Sequence, residues 1–215
     1  MLASLTASAA MATPVTVAAT ADLYGAAGTL PAGTAPVLIA LPGGATSITF
    51  SASGSITLNG GGNFNDPDGI GSAQGITVLS ANNISGISAP HAGFLGGVFL
   101  TDVDPGSPAP TSLDYNTLGT GNASYTPAIA QAFFIGDGLT GDGGGTTQVF
   151  YIPTGATRLF LGYADACSYN GTPSCYNDNS GTLSVSYAVT GVPEPASIAM
   201  LGIALIGVGV IRRKR

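Results

Sequence analysis

The segment from Arg158 to Val185 concentrates hard oxygen donors. Leu161-Gly162-Tyr163-Ala164-Asp165 leads into a loop bounded by Cys167 and Cys175, and Tyr176-Asn177-Asp178-Asn179-Ser180-Gly181 leads out of it. Carboxylates, amide carbonyls and main-chain carbonyls are the ligands of Ca²⁺, which takes roughly six to eight oxygens and leaves spare positions that sugar hydroxyls can fill. Asp165, Asp178 and Asn179 supply that chemistry. A bridge between Cys167 and Cys175 would hold the two halves of the set together and lower the ordering cost of binding. Two other stretches carry carboxylates. Asp66-Pro67-Asp68-Gly69 reads as a turn, and the glycine-rich run 136–145, with Asp137 and Asp142, reads as a flexible hairpin tip. That run has neither the Lys-Ser/Thr ending of a phosphate loop nor a glutamate at the twelfth position of an EF-hand.

Catalytic constellations are poorly supplied. The one histidine, His91, follows Ala89-Pro90 in a turn, and the one glutamate is Glu194, near the carboxy terminus. A Ser-His-Asp site needs a histidine with partners in reach, and a glycosidase needs a paired acid and base. Neither pattern stands out, so a binding or structural role is expected rather than an enzyme.

The charge balance narrows the ligands further. All 11 acidic residues except Glu194 are aspartates, and Arg158 is the sole basic residue before position 212. Such a surface cannot neutralise a phosphate backbone or anionic lipid head groups, which excludes nucleic acid and leaves cations and neutral molecules. The 2 cysteines suit a disulfide in an oxidising compartment.

Both termini read as addresses. Met1 to Ala12 is Ala- and Ser-rich and ends in Ala10-Met11-Ala12, a small-x-small cleavage pattern, so residues 1–12 are expected to be a truncated signal peptide. At the other end an unbroken apolar run from Ala196 to Ile211 meets Arg212, Arg213, Lys214 and Arg215, a membrane stop that leaves everything upstream exported. At ~1.5 Å per residue that run reaches roughly 24 Å, short of the ~30 Å hydrocarbon core, which suits a transient anchor. Val192, Pro193, Glu194 and Pro195 stand just before it. This order of Pro193-Glu194-Pro195, apolar helix and Arg-rich end resembles the PEP-CTERM sorting signal. The resemblance implies sorting by exosortase-type machinery in a Gram-negative bacterium, with transient inner-membrane anchoring before processing.

Between the termini lies one domain, residues 13–190, and its elements read as strands. Short runs of β-branched and aromatic residues separated by Gly, Pro, Asn and Asp turns cover 15–21, 37–41, 47–53, 55–58, 97–101, 131–135, 148–152, 158–163 and 182–189. Leu183, Val185, Tyr187 and Val189 alternate with smaller residues, the period of a half-buried strand. With no helical period outside the tail, the fold class is all-β, an antiparallel β-sandwich of galactose-binding or jelly-roll type. Phe133, Phe134, Phe150, Tyr151, Phe160 and Tyr163 then read as alternating core and surface aromatics. The loop 103–125 reads as a surface excursion, and Arg158, at a strand start near Asp165, as a structural partner for a carboxylate on the surface.

In this setting the 158–185 segment resembles the PA-I-like galactophilic lectins, small calcium-dependent β-sandwiches, through its order of strand, Asp165, loop, Asp178-Asn179-Ser180-Gly181 and strand. The resemblance implies one Ca²⁺ held by Asp165, the main-chain carbonyl of Cys175, Asp178 and Asn179. A further carbonyl comes from Leu58, at the end of the similar strand Ser51 to Leu58. This chain departs from the family in a loop about six residues longer, in Asp178 where the family has Asn, and in Asp66 and Gly69 near the family's sugar-contacting positions. Asp66, Asp68 and Tyr176 are the candidate ligand contacts. The resulting expectation is an exported protein of the cell surface, outer membrane or extracellular matrix that binds neutral carbohydrate or exopolysaccharide through Ca²⁺. A structural matrix protein without sugar binding is the alternative.

Overall fold

The protein is described as a computed structural model covering residues 10–11, 14–61, 64–72 and 74–191. The signal-peptide residues other than Ala10 and Met11 lie outside the described residues. So do Pro193, Glu194, Pro195, the apolar run 196–211, Arg212 and Arg213. Among the described residues no helix is long and apolar enough to cross a membrane.

The chain is mostly β, and its longest ladder joins Ala45–Thr57 to Ser180–Gly191, antiparallel and in register from Ser180 opposite Thr57 to Thr190 opposite Ser47. Ile48, Phe50, Ile56, Leu183 and Val185 are buried along it while their neighbours, Thr57 excepted, are half-buried or exposed, the alternation of a strand with one face inward. Where the sequence suggests a break at Gly54, one continuous strand runs through. Gly54 takes φ 112, and a Cβ there would stand 2.7 Å from the Thr182 carbonyl, so only glycine keeps the ladder intact. Val15–Ala18, Val149–Tyr151, Phe64–Asn65, Ser124–Tyr125 and Ala10–Met11 complete this seven-stranded sheet.

A second, wholly antiparallel sheet runs Ala132–Phe134, Gly96–Leu100, Arg158–Gly162, Val37–Ala40. Phe133 and Phe134 are both buried, which corrects the expectation that these aromatics alternate between core and surface. Consecutive strand residues point to opposite faces. Phe133 meets Phe150 of the large sheet at 5.6 Å, while Phe134 meets Phe94 at 5.1 Å and Tyr115 at 5.6 Å. Its strands Ala132–Phe134, Gly96–Leu100 and Arg158–Gly162 are therefore covered on both sides, whereas the edge strand Val37–Ala40 leaves Leu38 exposed. Tyr115 belongs to the one-turn helix Tyr115–Leu118, so the loop 103–125 is not a mere surface excursion.

A third sheet, Asn170–Gly171, Ile76–Val78, Ile87–Ala89, Leu113–Asp114, carries two parallel pairings, and Ser124–Tyr125 runs parallel to Val149–Phe150. The purely antiparallel expectation fails at these places because long loops, rather than crossover helices, return the chain beside a strand in the same direction. Arg158 bonds the Thr101 carbonyl at 2.7 Å, pairs with the exposed Asp104 at 3.6 Å and lies 5.5 Å over the Phe160 ring, so the surface carboxylate it was expected to meet is Asp104.

Candidate functional site

Two polar centres emerge, and the residues singled out in the sequence divide between them. The first is built on the turn at Asp66. Asp66 Oδ1 accepts the amides of Asp68 at 3.0 Å and Ile70 at 2.8 Å, so the side chain shapes the turn that carries its neighbour. Asp68 Oδ1 in turn accepts the Asp137 amide at 3.1 Å. Asp137 is buried, and its two oxygens take the Leu139 amide at 2.7 Å and the Gly143 amide at 3.0 Å, closing the base of the hairpin Leu139–Gly141, Gly144–Thr147. That hairpin presents Asp142. Gly136 makes the approach possible, because a Cβ there would fall 1.9 Å from Asp68 Oδ1.

The outcome is a convergence of carboxylates from two distant loops. Asp66, Asp68 and Asp142 each place one oxygen within 4.8 Å of the others. Asp68 Oδ2 is shut off from solvent and has no hydrogen-bond partner. Burial, reinforced by Asp137, Asp66 and Asp142, pushes the Asp68 carboxyl up to about 7. Burial and the Asp142 carboxylate also raise Asp66. The one basic side chain before position 212, Arg158, is engaged elsewhere. Like charges held this close favour either a shared proton or a cation. The free Asp68 oxygen and the hard carboxylate set fit a divalent ion, with the exposed Asp142 leaving one side open to solvent.

The second centre is the hairpin set. Asp165 and Asn179 are both buried and do come together, with Asn179 Nδ2 donating to Asp165 Oδ2 at 2.7 Å and to the Ala19 carbonyl at 3.4 Å. Asp165 Oδ1 accepts the Ala166 amide at 2.8 Å, so both carboxylate oxygens are engaged. Burial holds the Asp165 carboxyl at about 6, well above its ordinary value. Asn179 Oδ1 is buried without a partner. Asp178 is exposed, Leu58 is buried at the end of its strand, and the Cys175 carbonyl accepts the Asp178 amide at 3.4 Å. Cys167 and Cys175 form the expected disulfide. Tyr176 is fully buried, which closes its ring to a sugar. Its hydroxyl accepts the Asp165 amide at 3.0 Å and donates to the Tyr163 carbonyl at 3.1 Å.

Sequence reasoning missed Asp137 and Asp142 as members of a site. Each of the two stretches reads as a satisfied turn when taken alone, and only their pairing through Asp68 and Asp137 makes a centre. Two aspartates in a glycine run were the available signal. Asp22, buried and raised by burial, also escaped it. It caps the short helix Leu23–Ala27 through the Tyr24 amide at 2.9 Å and lies close enough to raise Asp165.

The family described as the PEP-CTERM protein-sorting motif matches residues 191–215. This chain carries a PEP-CTERM sorting motif. It is accordingly an exported, envelope-directed protein recognised by exosortase-type sorting machinery. No curated protein and no solved structure matches the chain, so the lectin resemblance has no support from a relative.

Proposed function

We propose that the domain is an exported β-sandwich binding module that takes neutral carbohydrate of the cell surface or matrix through a calcium ion held by Asp66, Asp68 and Asp142. The convergence of these three carboxylates, with the Asp68 oxygen left free of any hydrogen bond, carries this reading. Ca²⁺ bound there supplies open coordination positions for neighbouring sugar hydroxyls. The exposed Asp142 is placed to accept hydrogen bonds from the same hydroxyls, and the lack of basic residues favours neutral over anionic glycans. No bond is made or broken in this function.

The hairpin set remains a second candidate for the ion. Turning the Asn179 amide over would aim its unpartnered oxygen at Asp165 and create a demand for a cation between them. A structural matrix protein, in which the ion only ties the two loops together, is the other reading.

Thermal unfolding of the full-length protein in mild detergent separates these possibilities. Calcium at about 100 times Kd stabilises by about 2.7 kcal/mol, which is a shift of several degrees. The shift is expected to vanish in Asp68→Asn and Asp142→Asn and to persist in Asp165→Asn. Its loss in Asp165→Asn alone transfers the ion to the hairpin. Calcium stabilisation with no added effect from any neutral glycan leaves the matrix role, and no calcium effect at all removes the metal.

A further inference from the structure

The disulfide loop does more than close a hairpin. Its residues Ser168, Tyr169 and Asn170 line an open cleft of about 240 Å³ together with Gln74, Thr77 and Asn116, and Asn170 sits beside Thr77 in the sheet. No charged side chain lines this cleft. Its polar groups are three carboxamides and hydroxyls, each able to donate or accept, and several are already oriented. Asn116 Nδ2 is held by Asp114 Oδ1 at 2.8 Å, Thr77 Oγ1 accepts from Ser88 at 3.1 Å, and the Tyr169 hydroxyl accepts from Asn59.

The backbone of the disulfide loop is strained where it lines the cleft. Ser168 takes φ 58 and Tyr169 φ 61, a left-handed conformation that costs energy in any residue but glycine. The neighbouring Cys167–Cys175 bridge and the pairing of Asn170–Gly171 with Thr77–Val78 hold it there. A strained pair of residues facing a cleft, kept in place by a covalent tie, is a preorganised surface rather than a passing loop.

The chemistry of the lining selects the ligand. Without a basic side chain it has no charge to favour a phosphate or a carboxylate over a neutral ligand. The Ile76–Val78 strand is paired on both sides, by Asn170–Gly171 and by Ile87–Ala89, so it has no free ladder to receive a peptide strand. Amides and hydroxyls around the half-buried side chain of Tyr169 match a molecule with alternating hydroxyls and C–H faces.

We propose that this cleft is a metal-independent subsite for a neutral saccharide, contacted by Tyr169, Asn116, Asn170 and Gln74. It shares a ligand class with the carbohydrate reading above but not its site or its cation.

The test is binding of full-length protein in mild detergent to immobilised neutral glucans, mannans and galactans, with polygalacturonate as the anionic control, in excess chelator. Retention on a neutral glycan is expected, weakened about tenfold by Asn116→Ala and by Tyr169→Ala. Asn116 is exposed, so its variant is expected to keep the wild-type melting temperature, which separates a lost contact from a lost fold. Binding that disappears in chelator assigns the saccharide to the carboxylate site and overturns this subsite. Equal binding by both variants, or none to any neutral glycan, overturns it as well, whatever calcium does to stability.

Discussion

At the scale of the residue, Asp68 is the most informative side chain. Its carboxyl is pushed to about 7 in the folded protein, against 3.8 in an ordinary setting, so the folded state holds a proton that the unfolded state gives up. The stabilisation from that proton is complete below about pH 4 and is lost as pH rises through about 7. Asp66, Asp22 and Asp165 are raised too, and their contributions fall in the same direction. Asp142, Asp137 and His91, whose Cβ lies beside Gly69, complete the titratable surroundings. Metal-free protein is therefore expected to melt at a lower temperature at pH 7 than at pH 5. Saturating calcium should reduce or reverse that difference, because the ion stabilises the ionised form, and Asp68→Asn should flatten the metal-free profile. Melting curves across pH in chelator, with and without the variant, read this directly. A metal-free profile that rises from pH 5 to pH 7 would contradict the assigned shifts.

At the scale of the element, the carboxylate site depends on the close approach of the Asp66 turn to the residues entering the 139–147 hairpin. Gly136 permits it, with φ 62 and no side chain to strike Asp68 or the Phe134 ring. Gly136→Ala combines a left-handed backbone with a collision against the half-buried Asp68 carboxylate, and is expected to destabilise by on the order of 2 kcal/mol or more. The same substitution should abolish the calcium response, since the turn and the hairpin would separate. Denaturant unfolding with and without calcium distinguishes this from a purely local strain, which would lower stability while leaving the calcium increment intact. The main strands were legible, within a few residues of where β-branched and aromatic runs place them. Ile76–Val78, Ile87–Ala89, the strands of the 139–147 hairpin and the short pairings at Phe64–Asn65, Leu113–Asp114, Ser124–Tyr125 and Asn170–Gly171 were not, because two to four residues carry too little period to read.

At the scale of the whole molecule, the address and the domain are separable. The sorting match occupies 191–215, beyond the long Ser180–Gly191 strand, and everything so far assigned to binding lies upstream. Replacing Pro193, Glu194 and Pro195 with alanine is expected to divert the protein from its envelope destination without changing the melting temperature of the domain. Cell fractionation together with a melting curve checks both halves. A fall in melting temperature would show that the tail takes part in the fold.

The address and the strand content were readable from order and composition, since apolar runs, charge clusters and period-two patterns are local properties of the chain. The pairing of Asp165 with Asn179 was readable too, because one hairpin brings both ends together. What lay beyond reach was contact between loops distant in sequence. Asp68 reaches Asp137 across 69 positions, and Phe133 reaches one sheet while Phe134 reaches the other side of its own. Such contacts are decided by how sheets stack and how loops return across them. For that reason two stretches that each look like a self-satisfied turn became, in three dimensions, one charged centre.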